Sequence, residues 1–376
     1  MADFALRVTR TAVIGLGEAG ATIHLPALTG IAGATVVGAV DTDDARRQAA
    51  ASKWNVPVFG DVSEMLGASK PELVIVASPP ALHAAHCRAA LDAGAHVLCE
   101  KPFAASVYEA RDLVSYATQR GKQIAVNHEF RAMPIFRDML GQVRADPSGV
   151  AVAQVWQAIN HNPASEKGWR GSLRRRSLYE AGVHLVDLAL QLFGETPHTV
   201  RATFSSGGAD SVAADAITLV TLEFSRGRLA QLTQCRVHRG DRQYLEVRAD
   251  TANASFRASF GGRMRVSAGM VRSTRPHLAI ERGGSGVAWR EHGAARAMFA
   301  RNGGAPLVSS TRDVIRSCIA AIQAGRPVPF PATDGVDTLR VVAAAYRSAE
   351  LGRAVQVDGD DSTTTESLLL TETLNA

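Results

Sequence analysis

Apolar positions follow two different rhythms along this chain. In the first third, short unbroken apolar runs at 10–14, 35–40, 73–77, 96–99 and 123–126 predict strands. Helix-like segments lie between them, near 18–30, 43–53, 61–68, 81–93 and 106–119. A run such as Leu73-Val74-Ile75-Val76 is apolar at every position, as a strand covered on both faces should be. Strands alternating with helices over short connections predict a parallel sheet with helices on both sides.

The rhythm changes after about Asn127. A helix over 134–143 precedes a strand over 150–158 and an irregular polar loop over 160–177. A strong helical pattern then runs from Ser177 to Phe193 and stops at Gly194. Strand-like segments follow at 198–204, 215–224, 228–237, 242–249, 253–258 and 262–267, with Ser225-Arg226-Gly227 as a hairpin connection. Residues 281–306 are rich in Gly and Ala and take no assignment, and helices are predicted near 309–324 and 334–351. Many strands after one long helix predict an open, mostly antiparallel sheet with helices on one face. The expected division is therefore a first domain over 1–127, a second over 128–357 and a mobile tail over 358–376. Leu368-Leu369-Leu370 in that tail would alternatively dock on a partner subunit.

The first βαβ segment carries chemistry. Ala12-Val13-Ile14 runs straight into Gly15-x-Gly17-x-x-Gly20, which opens a helix, and the next strand ends in Asp41. This is the order of a dinucleotide-binding Rossmann unit. Gly15 permits the tight turn, Gly17 leaves the backbone bare for a pyrophosphate, and Gly20 lets helix and sheet approach closely. Glu18 and Ala19 sit inside the turn, where the helix N-terminus offers free N–H groups. Asp41 would accept hydrogen bonds from the ribose hydroxyls and repel a 2′-phosphate, favouring NAD over NADP. NADP remains the alternative, since Arg46 and Arg47 would meet the extra phosphate if Asp41 turned away. The bland alternative is a structural glycine turn.

Composition narrows the setting. Hydrophobic content of 46% and charged content of 20% are those of a globular protein, and 376 residues suffice for two cores. The net charge of +5 is dispersed, with one dense cluster at Arg174-Arg175-Arg176, so a nucleic-acid partner is not expected. The four cysteines form no close pair, which suits reduced thiols in a cytoplasmic protein. No apolar run is long enough to span a membrane, and the segment from Met1 to Arg10 has no signal-peptide core. His83, His86 and Cys87 have metal-like spacing, yet no third ligand is apparent, so no metal is expected.

Two further loops fall at strand ends on the glycine-loop edge. Ser78-Pro79-Pro80 offers a rigid ledge for the nicotinamide-ribose, or is an ordinary helix-starting proline turn. Glu100-Lys101-Pro102 projects a lysine that would hold a substrate oxygen as hydride leaves, or is a turn with solvated charges. Trp169 and Arg170 precede the long helix and would line a substrate cleft, while Asn127, His128 and Arg131 would face nicotinamide or substrate. On the helix, Glu180 and His184 share one face at i, i+4, with Asp187 a turn further on. Such a histidine would exchange a proton near neutral pH, or is a satisfied core residue.

The stretches GLGEAGATIHLPAL, ASPPALHAAHCRAALDAGAHVLCEKPFA and EAGVHLVDLALQLFGE together resemble the GFO/IDH/MocA superfamily of oxidoreductases. The likeness is dense over 9–130 and 177–196 and thin elsewhere. It implies a pyridine-nucleotide oxidoreductase acting on a sugar, cyclitol or related polyol. It also implies a homodimer or homotetramer formed through the open face of the second sheet. Carried over by motif, Lys101 is the catalytic lysine, and His184 acts as general base or lies beside the reacting hydroxyl; Glu180 is the third catalytic candidate and with Asp187 orients the site. Ser78, Pro79, Pro80, His83, Glu100, Lys101 and Asn127 are expected to join the glycine loop in holding cofactor. Trp169 and Arg170 join Lys101, Glu180, His184 and Asp187 around the substrate. Two departures stand out: Glu180 replaces an aspartate common in the family, and Arg174-Arg175-Arg176 replaces a glycine run. The longer Glu180 changes the reach at the site, and the arginines would bind a substrate carboxylate or phosphate or remain solvated. Two other readings are a non-net-redox enzyme that recycles bound NAD and a nucleotide-binding regulator without chemistry.

Overall fold

The computed structural model describes residues 7–160, 168–171, 173, 175–207, 214–240, 243–261, 264–270, 276–282, 286–357 and 368. The chain forms two compact units, Met1–Ala132 with Leu307–Asp337 and Met133–Pro306 with Thr338–Ala376.

The first unit is built on six strands: β1 (Thr9–Ile14), β2 (Ala34–Val40), β3 (Val58–Phe59), β4 (Leu73–Val76), β5 (His96–Cys99) and β6 (Ile124–Val126). Their order is β3-β2-β1-β4-β5-β6 and every pair is parallel. The winding reverses between β1 and β4, so the loops leaving those two strands flank the crevice where such sheets take ligands. Five strands follow the predicted pattern. The two-residue β3 is too short to leave a periodic signal.

Local sequence explains the crossover helices. Asp43, Asp61 and Ser106 cap Asp44–Trp54, Val62–Ser69 and Val107–Gln119 by accepting backbone N–H groups at 2.9–3.1 Å. Glu109 reinforces the last cap by accepting the Ala105 N–H at 2.8 Å.

The segment Leu307–Asp337 also belongs to this unit, although the pattern assigns it to the second domain. Helix Pro306–Gln323 packs Val314, Ile315, Cys318 and Ile319 into the same core as Leu25, Leu28, Ile75 and Leu98. Arg312 donates to the carbonyls of Ala27 and Pro26 at 3.2 and 3.1 Å. Val126 N–H donates to Phe330 O at 2.9 Å, extending the β6 edge. An amphipathic helix shows in sequence that it buries one face, but not which sheet that face covers.

The second unit holds a nine-stranded sheet and a separate hairpin. The strands are β7 (Val150–Asn160), β8 (Thr199–Ser205), β9 (Ile217–Glu223), β10 (Leu229–His238), β11 (Gln243–Thr251), β12 (Ser255–Gly261), β13 (Met264–Met270), β14 (Pro276–Arg282), β15 (Val287–His292), β16 (Ala295–Arg301) and β17 (Val355–Gln356). The large sheet runs β16-β15-β12-β11-β7-β10-β9-β8-β17, with β7–β10 parallel and its other neighbours antiparallel. β13 and β14 pair with each other. Helix Val183–Phe193 packs on β7 and β10, and Pro134–Ala145 on β12, β15 and β16. The opposite face leaves Val152, Trp156, Leu219 and Leu229 exposed.

The β15–β16 hairpin lies in the stretch the pattern leaves unassigned. β16 reads Ala-Arg-Ala-Met-Phe-Ala-Arg and buries only Ala300, so it shows no clear alternation. The predicted tail lies outside the described residues except for Leu368, which is buried. Among the described residues no helix is long and apolar enough to cross a membrane.

Candidate functional site

The glycine loop of the first unit has the geometry a pyrophosphate needs. Gly15 has φ +95°, and a Cβ there would lie 2.7 Å from Ala77 O. A Cβ at Gly20 would lie 1.9 Å from Gly15 O, so any side chain there would force the turn and helix apart. A Cβ at Gly17 would meet nothing within 4 Å, so its backbone faces open space. Helical structure begins at Glu18, immediately after that opening.

Asp41 closes the loop from the end of β2. Its Oδ2 accepts Leu16 N–H at 2.8 Å and its Oδ1 accepts Asp43 N–H at 2.9 Å. Both oxygens are therefore tied to backbone, and the carboxylate is held facing the glycine turn. Arg46 lies 3.6 Å from Asp41 Oδ2, whereas Arg47 donates to the carbonyls of Asp41 and Thr42. An Asp41 held this way cannot swing aside for a 2′-phosphate without releasing two amides.

The Ser-Pro-Pro and Glu-Lys-Pro loops are fastened together by His83. Its Nε2 lies 2.8 Å from Ser78 O, and its Nδ1 lies 2.9 Å from Pro102 O and 3.3 Å from Phe103 O. The ring is wholly buried and bridges the two loops through main-chain carbonyls. Burial, opposed by these carbonyls and by the Glu100 charge, pushes the His83 pKa down. His86 hydrogen-bonds Ser78 Oγ at 2.9 Å, and Cys87 is buried. Among the described residues no three His, Cys, Asp or Glu side chains gather as metal ligands.

Glu100 is the buried hub beneath Lys101. Its Oε1 lies 2.7 Å from His24 Nε2 and accepts Asn127 Nδ2 at 2.7 Å, while Oε2 accepts Lys101 N–H at 3.1 Å. Burial opposes ionisation, but His24, the Lys101 charge and the Asn127 amide outweigh it and hold Glu100 well below the usual carboxylate range. Asn127 and the Lys101 backbone thus both meet Glu100, and the Lys101 side chain is half-buried. His128 is buried, and burial with the Arg131 and Lys101 charges lowers its pKa. Arg131 pairs with Asp334 at 2.7 Å.

In the second unit, Ser177–Gly182 forms a wide helical turn that leads into Val183–Phe193. Its start is fixed by Asp215, which accepts the N–H groups of Arg176, Ser177 and Leu178 at 2.9, 3.0 and 3.0 Å. Asp215 also accepts the Tyr346 hydroxyl at 2.9 Å, and burial together with that carboxylate pushes the Tyr346 pKa up. His184 and Asp187 are buried on this helix.

Glu180 gathers three arginines. Arg170 Nε lies 2.6 Å from Oε1, Arg176 Nε 3.0 Å from Oε2, and Arg236 Nη1 3.4 Å from Oε2. Arg170 also lies over the Trp169 ring at 4.6 Å. The arginine cluster seen in sequence divides: Arg176 is buried against Glu180, Arg175 pairs with Glu350, and Arg174 lies outside the described residues. Arg236 and Asp215 were not among the sequence candidates. They reach the helix from strand β10 and from the turn before β9, and nothing in their local sequence marks them.

An NAD-type glycine loop on a parallel sheet, followed by a strand-rich unit with a buried His-Asp helix, defines a two-unit nucleotide-dependent oxidoreductase. Residues 9–128 match the model of the oxidoreductase family with an NAD-binding Rossmann fold, and residues 150–255 match the GFO/IDH/MocA C-terminal domain. The chain belongs to the GFO/IDH/MocA family, and its first unit is an NAD-binding Rossmann domain.

D-apiose dehydrogenase of Paraburkholderia graminis is 24% identical over 346 residues, covering 89% of this chain and 86% of that protein. Inositol 2-dehydrogenase 1 of Saccharopolyspora erythraea is 27% identical, covering 93% of this chain and 96% of that protein. D-glucoside 3-dehydrogenase of Escherichia coli is 29% identical over 49% of this chain and 54% of that protein. An Agrobacterium radiobacter oxidoreductase, solved with NAD+, L-tartaric acid and magnesium, shares the fold at TM-score 0.78 and 16% identity, over 93% of this chain and 98% of that one.

Proposed function

We propose that the protein moves hydride between nicotinamide C4 and a secondary carbinol or ketone carbon of a sugar, cyclitol or sugar derivative. The observation that carries this reading is the ligand edge of the parallel sheet. There the open Gly17, the fixed Asp41 and the Lys101 stem stand at the ends of β1, β2 and β5. The fit favours NAD, which when bound supplies the hydride acceptor for alcohol oxidation. Relatives named for apiose, inositol and glucosides support a polyol substrate.

In the oxidation direction, the carbinol C–H bond breaks and its electron pair leaves with the hydrogen. The hydroxyl proton passes to His184 and the oxygen becomes a carbonyl. Lys101 donates a hydrogen bond to that oxygen as charge develops on it. Glu100 holds Lys101 in place through its backbone N–H and its charge. The domains act as a cofactor domain and a substrate domain. The exposed Val152, Trp156, Leu219 and Leu229 suit the second sheet's outer face to a homodimer or homotetramer.

The test is NADH formation across sugars, cyclitols, uronates and sugar phosphates, with Lys101→Met as the control. Turnover by the parent chain should fall about a thousandfold in the variant with NADH affinity retained. Cofactor that survives dialysis with no net NADH would replace this reading with the recycling one.

A further inference from the structure

We propose that His24 is a positioning residue for Lys101, fastening the helix that leaves the glycine turn to the Glu-Lys-Pro loop through the carboxylate of Glu100. The proposal rests on the dehydrogenase reading for what Lys101 does, and on contacts within the first unit for how Lys101 is held.

His24 ends the wide helical turn Gly20–His24, four residues after the glycine whose close approach to Gly15 shapes the cofactor loop. Short wide turns of this kind recur at functional sites. The His24 ring is wholly buried, and its Nε2 lies 2.7 Å from Glu100 Oε1. Glu100 is held well below the usual carboxylate range, so it is ionised and can only accept. The proton in this bond therefore sits on His24 Nε2, and the bond is charge-assisted.

Two further donors meet the same carboxylate. Asn127 Nδ2 donates to Oε1 at 2.7 Å, and the Lys101 backbone N–H donates to Oε2 at 3.1 Å. Glu100 thus ties together the helix after β1, the loop after β5 and the residue that follows β6. Its charge also reaches His83 and Cys99, but His83 bonds the carbonyls of Ser78 and Pro102, and Cys99 Sγ lies 3.8 Å from Phe103 O. His24 is therefore the titratable side chain that bonds Glu100 directly. Without it a buried carboxylate loses a donor, and the freed oxygen competes for the ammonium of the next residue, Lys101. That would turn Lys101 towards its own loop and away from a substrate oxygen.

The experiment reads Lys101 itself. The full chain is acetylated with acetic anhydride from about pH 7 to 11, and the Lys101 peptide is followed by mass spectrometry. His24→Leu should raise the midpoint of the Lys101 reaction by about half a pH unit or more, because a freed carboxylate oxygen favours the ammonium. His24→Gln can donate from near the Nε2 position and should bring the midpoint back. In turnover, His24→Leu should lower kcat roughly tenfold or more with the KM for NAD nearly unchanged, and His24→Gln should recover most of it. His24→Asn stops short of Glu100 and takes the place of His24→Leu should that chain not fold. An unmoved Lys101 midpoint overturns the proposal, as does a shift that His24→Gln leaves in place. Equal losses of stability, NADH affinity and kcat with no change at Lys101 would make His24 a core residue only. A shifted Lys101 midpoint in a protein that forms no NADH from any polyol would keep His24 in this place and remove the dehydrogenase reading instead.

Discussion

The two units build their candidate sites from different materials. At the glycine loop of the first unit, backbone does most of the work. Gly15 and Gly20 are required by close approach, Gly17 is required by openness, and Asp41 is anchored by two amides. Around Glu180 of the second unit, side chains do the work, and they come from residues 170, 176 and 236. A backbone-built site needs particular residues at fixed local spacing. A side-chain-built site needs only that distant segments meet. The first should be brittle to small changes of shape, and the second to loss of charge or hydrogen bonding.

The largest expected effect is in the second unit. Asp215→Ala would leave three backbone amides and the Tyr346 hydroxyl without their acceptor in a buried setting. A loss of about 3 kcal/mol or more is expected, since each buried donor left unmade costs roughly 1–3 kcal/mol. Urea unfolding measures it. A loss near zero would mean that Asp215 is not what fixes the start of the His184 helix.

The glycine loop offers a sharper contrast within itself. Gly20→Ala would place a methyl 1.9 Å from Gly15 O, against backbone that cannot yield cheaply. It should lower stability by about 1–3 kcal/mol and abolish NADH binding together. Gly17→Ala meets nothing in the protein, so stability should hold while the methyl obstructs the pyrophosphate. Thermal unfolding beside NADH titration separates the pair. Retained NADH affinity in Gly17→Ala would place the phosphates elsewhere.

A smaller effect is expected at Asp41. Asp41→Asn keeps one acceptor for the Leu16 or Asp43 amide but removes the charge that repels a 2′-phosphate. The NAD-over-NADP preference should fall roughly tenfold, helped by Arg46 at 3.6 Å. An unchanged preference would shift the discrimination to another residue.

These contrasts explain what was legible in the sequence. The glycine turn, Asp41, the Ser-Pro-Pro ledge and the Glu-Lys-Pro stem could be read because each is a short motif at a strand end. His83 could be seen but not understood, because its partners Ser78, Pro102 and Phe103 are main-chain carbonyls that meet only after folding. Arg236 and Asp215 left no trace for the same reason. The helix after residue 306 was legible as a helix, yet its apolar stripe does not say that it covers the first sheet. β3 and β16 were hidden by shortness and by lack of alternation. Local geometry writes itself into sequence, and long-range convergence does not.

The smallest expected effect is a gradual acid weakening centred on the first unit. His83, His86, His96 and His128 all have lowered pKa values, with burial the leading cause for each. Below the ordinary histidine value of 6.5 the unfolded chain takes up protons that the folded chain resists. Stability should therefore be complete above that value and decline as pH falls from it. A second loss follows below the ordinary glutamate value of 4.5, where the depressed Glu100 begins to differ from its unfolded form. Hydrogen exchange read segment by segment between pH 8 and 5 would place the first loss in β4, β5 and the helix His83–Asp92. His96 accepts the Gln123 N–H at 3.2 Å, a bond that glutamine can keep without titrating. His96→Gln should make the decline shallower. A decline equally steep in that variant would take His96 out of the cause, and one spread evenly over both units would make the acid response a property of the whole chain.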